Sequence, residues 1–515
     1  MNNQSTPERR PWPALWALVI GFFMILIDTT IVSVATPTIM AALDADVNST
    51  LWVTSAYLLA YAVPLLITGR LGDQFGQKNL YLSGLVVFTL ASLWCGLASA
   101  LTIGSPITTL IIARTVQGLG ASLMTPQTMA VITRMFPPQQ RGSAMALWGS
   151  VAGVATLVGP ILGGVLVDTV GWEWIFFVNV PVGLIGFVAA ARLVPRFSTN
   201  RHRLDVPGVI LSAVAMFMIV FGIQEGETYD WGTIVGPITV WGLIIAGVVV
   251  LAAFVGWQAV TRSEPLLPLR LFTDRNFTLA NTGVAVMGFI ITGLAFPLML
   301  YAQSARGLSP TQSALLLAPM AVISAGLAPV VGRLLNRVDP KWFAAAGFAL
   351  LGLSLIGYHL TMGVESPILL LLIPAAILGL ASCLIWGPLS VTATRNLGPG
   401  DAGAGSGVYN TTRQVGSVLG SAAMAALIES RLAANLPGGA SSDAGAFTGQ
   451  ALPDALVAPF SAAMAQSLLM PAGVAMLGLA AALFFAKPVV RAFAGRPDGT
   501  APDGPAAGVR GDDLR

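Results

Sequence analysis

Charge is what this chain has least of. Only 10% of its 515 residues are Asp, Glu, Lys or Arg, against about a quarter in soluble globular proteins, so an ordinary water-surrounded domain is excluded. Cysteine is scarce too. Cys95 and Cys383 both fall within apolar runs, where thiols pack as small hydrophobes, and two such residues supply no disulfide framework. The two histidines, His202 and His359, stand alone, and without a Cys/His cluster no metal is expected. Of the 26 basic residues only Lys78, Lys341 and Lys487 are lysines; none closes a G-x-x-x-x-G-K-[ST] loop, so no nucleotide phosphate site is expected. No basic patch interleaved with aromatics sits in a polar segment large enough to fold, which sets nucleic acid aside as a partner. No cofactor is expected, and the energy for any work is expected to come from an ion gradient, a proton gradient in the reading below. The preference for Arg over Lys, with abundant Ala and Gly, points to a GC-rich bacterial genome.

Apolar length is what the chain has in excess. Hydrophobic residues make up 55% of it and the mean hydropathy is +0.79. A helix crosses a bilayer with about 20 apolar residues, and by that rule the sequence predicts fourteen spans, near 14–36, 51–69, 80–99, 106–132, 143–166, 174–192, 207–223, 235–257, 278–301, 312–332, 343–360, 368–392, 404–428 and 464–486. An even number puts both ends on one face. Basic residues accumulate on the cytoplasmic side: 22 of the 26 fall in segments on the N-terminal side, and only Arg306 and Arg431 fall opposite. Both termini are therefore expected in the cytoplasm, with the chain threaded through the cytoplasmic membrane. The remaining two, Arg114 and Arg413, lie inside spans. Met1 to Arg10 followed by Ala14 to Ile27 imitates a signal peptide, but the reading adopted is a retained first span.

The sequence also repeats itself. Gly69-Arg70-Leu71-Gly72-Asp73-Gln74-Phe75-Gly76-Gln77-Lys78, between two apolar runs, returns in worn form as Gly332 to Lys341. Gly118, Arg134, Pro138, Gly142 and Gly159 recur 261 positions later as Gly379, Arg395, Pro399, Gly403 and Gly420. Matching spans 1–6 with 9–14 leaves spans 7 and 8 inserted between the halves. The fold expected is all-α: a tail over 1–13, a six-helix bundle over 14–192, a linker with two inserted membrane helices over 193–277, and a second bundle over 278–486. An outer loop near 429–463, with a short interfacial helix such as Pro453 to Gln466, and a disordered tail over 487–515 complete the prediction. Duplicated bundles of this kind suit transporters that rock their halves about a central site.

Few residues inside the hydrocarbon can carry chemistry. Asp28 is the acid placed deepest, roughly fifteen residues or 22 Å from the inner end of its helix; an acid at that depth marks a functional site by default. Arg114 reaches a similar depth from the opposite face, so the two are expected to pair. Desolvation favours a neutral carboxyl and an adjacent guanidinium a charged one, so changing their separation would take up and release a proton. A static structural pair is the competing reading. The position 261 beyond Arg114 is Ala375, which confines this chemistry to the first half. Asn410, Arg413 and Gln414 make a polar face on span 13, suited to anionic or polar substrate or to a structural tie, and with Gln117 and Tyr57 they are the candidate lining of a substrate cavity. Gly153, Gly159, Pro160, Gly163 and Gly164 on span 5 offer small surfaces and a missing amide donor, which let helices touch closely and bend. Gly69, Arg70, Asp73, Gly76 and Lys78 form a sharp basic turn whose charges can cap neighbouring helix ends.

These segments together resemble the major facilitator superfamily, and within it the fourteen-span drug:proton antiporters. Leu26 to Pro37 is similar to that family's first-span signature, Gly69 to Lys78 to its inner-loop motif, Ala113 to Gly120 to its fourth-span motif and Gly149 to Gly164 to its span-5 antiporter motif. The resemblance covers nearly the whole length apart from the tails. It implies a multidrug efflux transporter, conferring antibiotic resistance, that exchanges hydrophobic or amphipathic compounds for protons by alternating access. It further implies that Asp28 and Arg114 couple protons and that Asp73 acts on the inner end of span 13. Thr36 stands where the signature usually has Leu, and further acids found in late spans of some relatives are missing, which favours monovalent, neutral or lipid-like cargo. A dedicated exporter of a lipid, metabolite or siderophore is the alternative within transport. A membrane-embedded enzyme or receptor would need clustered catalytic groups or a sizeable folded domain. Small-molecule substrate, protons and membrane lipid are the expected partners; the sequence does not address a periplasmic adaptor.

Overall fold

The computed structural model describes residues 11–101, 103–137, 144, 151, 155, 158–197, 199, 205–226, 228–261, 265–335, 338–397, 402–435 and 452–486. The helices of the first half are α1 (Pro11–Leu43), α2 (Val47–Phe75), α3 (Gln77–Gly96), α4 (Pro106–Met135), α5 (Val158–Thr169) and α6 (Trp174–Leu193). The inserted pair is α7 (Val206–Gln224) and α8 (Val240–Val260). The second half holds α9 (Arg275–Ala305), α10 (Pro310–Leu334), α11 (Pro340–Thr361), α12 (Ile368–Ala393), α13 (Ala402–Asn435) and α14 (Asp454–Leu483).

Among the described residues, twelve helices are long and apolar enough to cross a membrane. The twelve leave out α2, which is 29 residues long, and α5, whose expected inner half lies outside the described residues. Helix starts follow local chemistry. Asp46 accepts from Ser49 N at 2.9 Å to cap α2, and Asp274 accepts from Phe277 N at 2.7 Å to cap α9. Ser309 and Gln312 form a reciprocal capping box at the start of α10, satisfying donors that a helix end leaves orphaned.

In the first bundle α4 packs against both α2 and α3, and α1 and α3 against α6; in the second, α9 packs against α13 and α14, α10 against α12, and α11 against α12 and α14. The internal repeat is legible as contact geometry. A Cβ on Gly118 would strike the Tyr57 carbonyl where α4 crosses α2, and one on Gly379 would strike the Met320 carbonyl where α12 crosses α10. Gly159 meets α1 at Ile27 and Thr30, and Gly420 meets α9 at Phe289. Small residues hold both crossings at backbone contact, as membrane helix packing favours. Large side chains such as Leu184, Ile245 and Leu360 point outward, at 65%, 61% and 73% exposure. With lipid as the solvent such a surface costs nothing.

α7 and α8 pack chiefly on each other, and α7 also lies against α2 and α13. Glu225, just past α7, accepts from Asn48 Nδ2 at 3.1 Å and Trp52 Nε1 at 2.5 Å, which ties the inserted pair to the outer end of α2. At the inner end Asp205 caps α7 and accepts from Trp257 Nε1 at 2.8 Å and Gln258 Nε2 at 2.6 Å on α8. Their outer connection adds a feature the all-α expectation lacked, an antiparallel pair of strands, Thr233–Val235 and Ile238–Thr239, turned at Gly236 with φ +55°. The outer segment expected near 429–463 is shorter at both ends, because α13 runs on to Asn435 and helix resumes at Asp454. The stretch expected to lie at the interface, Pro453 to Gln466, instead forms the first part of α14. Phe460, Ala463 and Met464 are fully buried in the second bundle, so apolar packing rather than a lipid surface fixes it. The tail expected over 1–13 is cut short by α1, which begins at Pro11, and residues 1–10 and 487–515 lie outside the described residues.

Candidate functional site

Five helices of the first bundle converge on Asp28. Its side chain is 0% exposed and that of Arg114 1% exposed, and Arg114 Nη1 lies 2.5 Å from Asp28 Oδ2. Gln117, one turn along α4, donates from Nε2 to Asp28 Oδ1 at 2.8 Å, and Asn179 on α6 donates to the same oxygen at 3.0 Å. Arg114 also donates from Nη1 to Gln117 Oε1 at 2.7 Å and from Nε to the Val53 carbonyl of α2 at 3.3 Å. Its guanidinium carbon sits 4.0 Å from the centre of the Tyr57 ring. Ser92 on α3 accepts from Asn179 Nδ2 at 3.0 Å and donates to the Phe176 carbonyl at 2.9 Å, while Cys95 Sγ donates to Gln117 Oε1 at 3.7 Å.

Every group reaching the carboxyl oxygens is a donor. Gln117 is held in that orientation because its oxygen accepts from Arg114, and Asn179 because Ser92 accepts from it. Among the described residues no acceptor faces these two oxygens. Burying two charges costs several kcal/mol each (~), recovered only when geometry and further hydrogen bonds are good; the three donors and the aromatic face over Arg114 meet that condition.

Arg114, Gln117 and Tyr57 are thus brought to Asp28, the last two fully buried against the pair rather than facing an open space. Asn410, Arg413 and Gln414 lie apart on α13: Gln414 is buried, and Arg413 is half-buried beside Tyr61 of α2 and Tyr409. Sequence reasoning missed Asn179, Ser92 and Cys95. The Asn within the apolar run Phe176-Phe177-Val178-Asn179-Val180 was the available signal, while Cys95 was read as an inert thiol.

At the inner turn, Gly76 takes φ +89°, a conformation side chains resist, and so lets α3 begin one residue after α2 ends. Lys78 Nζ donates to the Ala191 carbonyl of α6 at 2.6 Å. Gly72 packs on Gln127, whose Nε2 donates to the Thr68 carbonyl at 2.7 Å, and Gly69 comes near Pro126. The turn is therefore joined to α4 and α6 of its own bundle. The side chains of Arg70 and Asp73 lie outside the described residues, as does Gly153. On α5, Gly159 and Gly163 press against α1, and Pro160 is buried between them. A Cβ on Gly164 would lie 2.6 Å from Thr311 Cα and 2.8 Å from the Pro310 carbonyl, across the bundle boundary.

Among the described residues, polar contacts join the outer halves of the two bundles. Asp168 Oδ2 accepts from Ser309 Oγ at 3.0 Å and Thr311 N at 2.9 Å, Gln303 Nε2 donates to the Val34 carbonyl at 2.9 Å, and Ser55 and Ser421 share a hydrogen bond of 2.8 Å. Together with Gly164 they hold the outer side of the two bundles in contact.

A sequence model of the Major Facilitator Superfamily matches residues 18–421. The chain belongs to this superfamily. It is a multi-pass transporter of the cytoplasmic membrane, built on the superfamily's fold. It is 51% identical over 484 residues to an uncharacterized MFS-type transporter, Rv1250, of Mycobacterium tuberculosis, covering 92% of this chain and 81% of the relative. It is 32% identical over 425 residues to the tetracenomycin C resistance and export protein of Streptomyces glaucescens, covering 82% and 77% of the two chains. The multidrug resistance protein Stp of Mycobacterium tuberculosis is 30% identical over 424 residues, covering 82% and 76%. Among solved structures, a bacterial homolog of the human lysosomal transporter Spinster, inward-facing and unoccupied, aligns with TM-score 0.60 at 17% identity, covering 93% of this chain and 98% of the other. That likeness speaks for the fold.

Proposed function

We propose that this chain is a fourteen-span antiporter that exports hydrophobic or amphipathic compounds, drugs and dyes among them, in exchange for protons. It moves its cargo chemically unchanged and needs no cofactor beyond the proton gradient. The observation that carries the reading is the buried Asp28–Arg114 pair, with three donors on one carboxylate and no exposure to either face. The names of the relatives, resistance and export proteins, support the cargo class and the direction.

The packing supports alternating access. The outer contacts at Asp168 and Gln303 hold one state, and the approach of Gly164 to Pro310 and Thr311, where a small residue lets backbones touch, is a place where the bundles can pivot. Rocking there, accompanied by a shift of α1 against α4 and α6 within the first bundle at the small-residue crossings of α5, changes the number of donors facing Asp28. A carboxyl that loses donors gains affinity for a proton, and regains an incentive to shed it when they return. Cargo binding that favours the donor-rich state would expel the proton; release of cargo outside would let another in.

The test is purified protein in liposomes with an imposed pH gradient, following dye movement and lumenal pH together. Dye accumulation should collapse when the gradient is dissipated. Movement indifferent to the gradient would overturn the antiport reading.

A further inference from the structure

Two arginines lie within the spans, and the structure treats them in opposite ways. Arg114 is ion-paired and hydrogen-bonded. Arg413, eleven residues or roughly 17 Å along α13 from Ala402, is half-buried and makes neither an ion pair nor a hydrogen bond with any other described residue. A charge at that depth persists where it faces a partner or a water-filled pathway, and here no carboxylate partner is described.

Its surroundings show what would suit it. The helix that carries it, α13, packs on α2 across the bundle boundary, and the Arg413 carbonyl faces Gly288 of α9. Tyr61 of α2 lies in the same apolar cluster as Val415 and Val418, the next residues along this stretch of α13. Tyr409, one turn before Arg413, also feels its charge, and the Tyr409 hydroxyl is buried without a hydrogen-bond partner among the described residues. Tyr61 by contrast is satisfied by Thr125 Oγ1 at 2.8 Å. A cation, an unused phenolic donor and two aromatic rings beside an apolar wall together match one ligand class, a hydrophobic body bearing a single anionic oxygen group.

Resting on the export reading above, we infer that Arg413 and Tyr409 form the cargo subsite and that the preferred cargo is a monovalent amphipathic anion, a carboxylate or an acidic phenolate. The guanidinium supplies the counter-charge, Tyr409 Oη a second donor, and Tyr61 an aromatic face from the opposite bundle. Because the subsite takes one wall from each bundle, cargo occupancy and bundle position are coupled. It is distinct from the proton site, so cargo and proton need not compete for the same side chain.

The experiment compares two probes that share the pyrene body and differ in charge and one methyl group, 1-pyrenebutyrate and its methyl ester, by fluorescence titration of the purified protein at neutral pH and by gradient-driven movement in liposomes. The unaltered protein should bind the carboxylate tighter by about tenfold or more, as charge-assisted hydrogen bonds are worth. Arg413→Gln should erase that preference, Arg413→Lys should keep most of it, and Tyr409→Phe should weaken carboxylate binding by about threefold or more while sparing the ester. Equal affinity of the unaltered protein for both probes would overturn the proposal, and so would an Arg413→Gln protein that weakens both equally, which would mark Arg413 as a structural tie. If the ester is still driven by the gradient while no carboxylate preference exists, the anion subsite fails and the export reading stands. If neither probe moves, both fail.

Discussion

The two bundles descend from one template, yet they have kept different things. Both retain the glycine crossings, Gly118 with Gly379 and Gly159 with Gly420, each pressed against the equivalent neighbour. The charge has not been kept. The counterpart of Arg114 is Ala375, fully buried, and Gly420 meets Phe289 where Gly159 meets the turn of α1 that holds Asp28. Backbone contact is needed in both halves for them to rock as matched bodies, whereas one titrating pair is enough to couple a gradient. A second buried pair would add desolvation cost without adding a motion for it to report.

That contrast can be broken by mutation. Arg114→Ala leaves the Asp28 carboxylate buried without its cation and should lower stability by about 3–5 kcal/mol. In the second bundle, where Phe289 stands 261 positions beyond Asp28 and no ion pair is described, Phe289→Leu should cost about 1 kcal/mol, as a hydrophobic swap of similar volume does. Thermal unfolding of the purified proteins measures both, and equal losses would mean that the first bundle is held no differently from the second. Gly118→Ala and Gly379→Ala should each cost about 1–3 kcal/mol through overpacking, and by similar amounts, since each added methyl meets a backbone carbonyl. A large effect in one half alone would argue that the repeat is no longer structural.

Smaller effects sharpen the picture. Asn179→Ala removes one neutral donor from Asp28 and should cost about 1–2 kcal/mol in the same unfolding assay, less than the loss of Arg114; parity between them would put the weight on hydrogen bonding rather than charge. Smallest is Asp168→Asn. It weakens the acceptor that caps α10 from across the bundle boundary, and it should shift the balance toward outer opening by about two- to fivefold. Spin-label distances between the outer ends of α5 and α10 report it, and an unchanged distribution would remove Asp168 from the outer contact.

Helix positions, the repeat and the Asp28–Arg114 pairing were legible because each leaves a local mark: an apolar run, a spacing of 261, or a charge where lipid forbids it. What supports the pair was harder to read. Asn179, Ser92 and the Val53 carbonyl lie on three different helices and meet Asp28 and Arg114 only through tertiary packing. Gln117 and Tyr57 were recognisable as polar residues facing inward, but a single helix face does not say whether inward means cavity or ion pair. The interfacial helix expected before α14 failed to separate because amphipathic pattern is the same against lipid headgroups and against a protein groove; burial of Phe460 decides between them.

The most direct test of the central claim is proton release on cargo binding, read with a pH indicator in weakly buffered solution as purified protein is titrated with an exported dye. The account predicts release from the unaltered protein and none from Asp28→Asn, which cannot ionise at that position. Release of the same size from both proteins would contradict it.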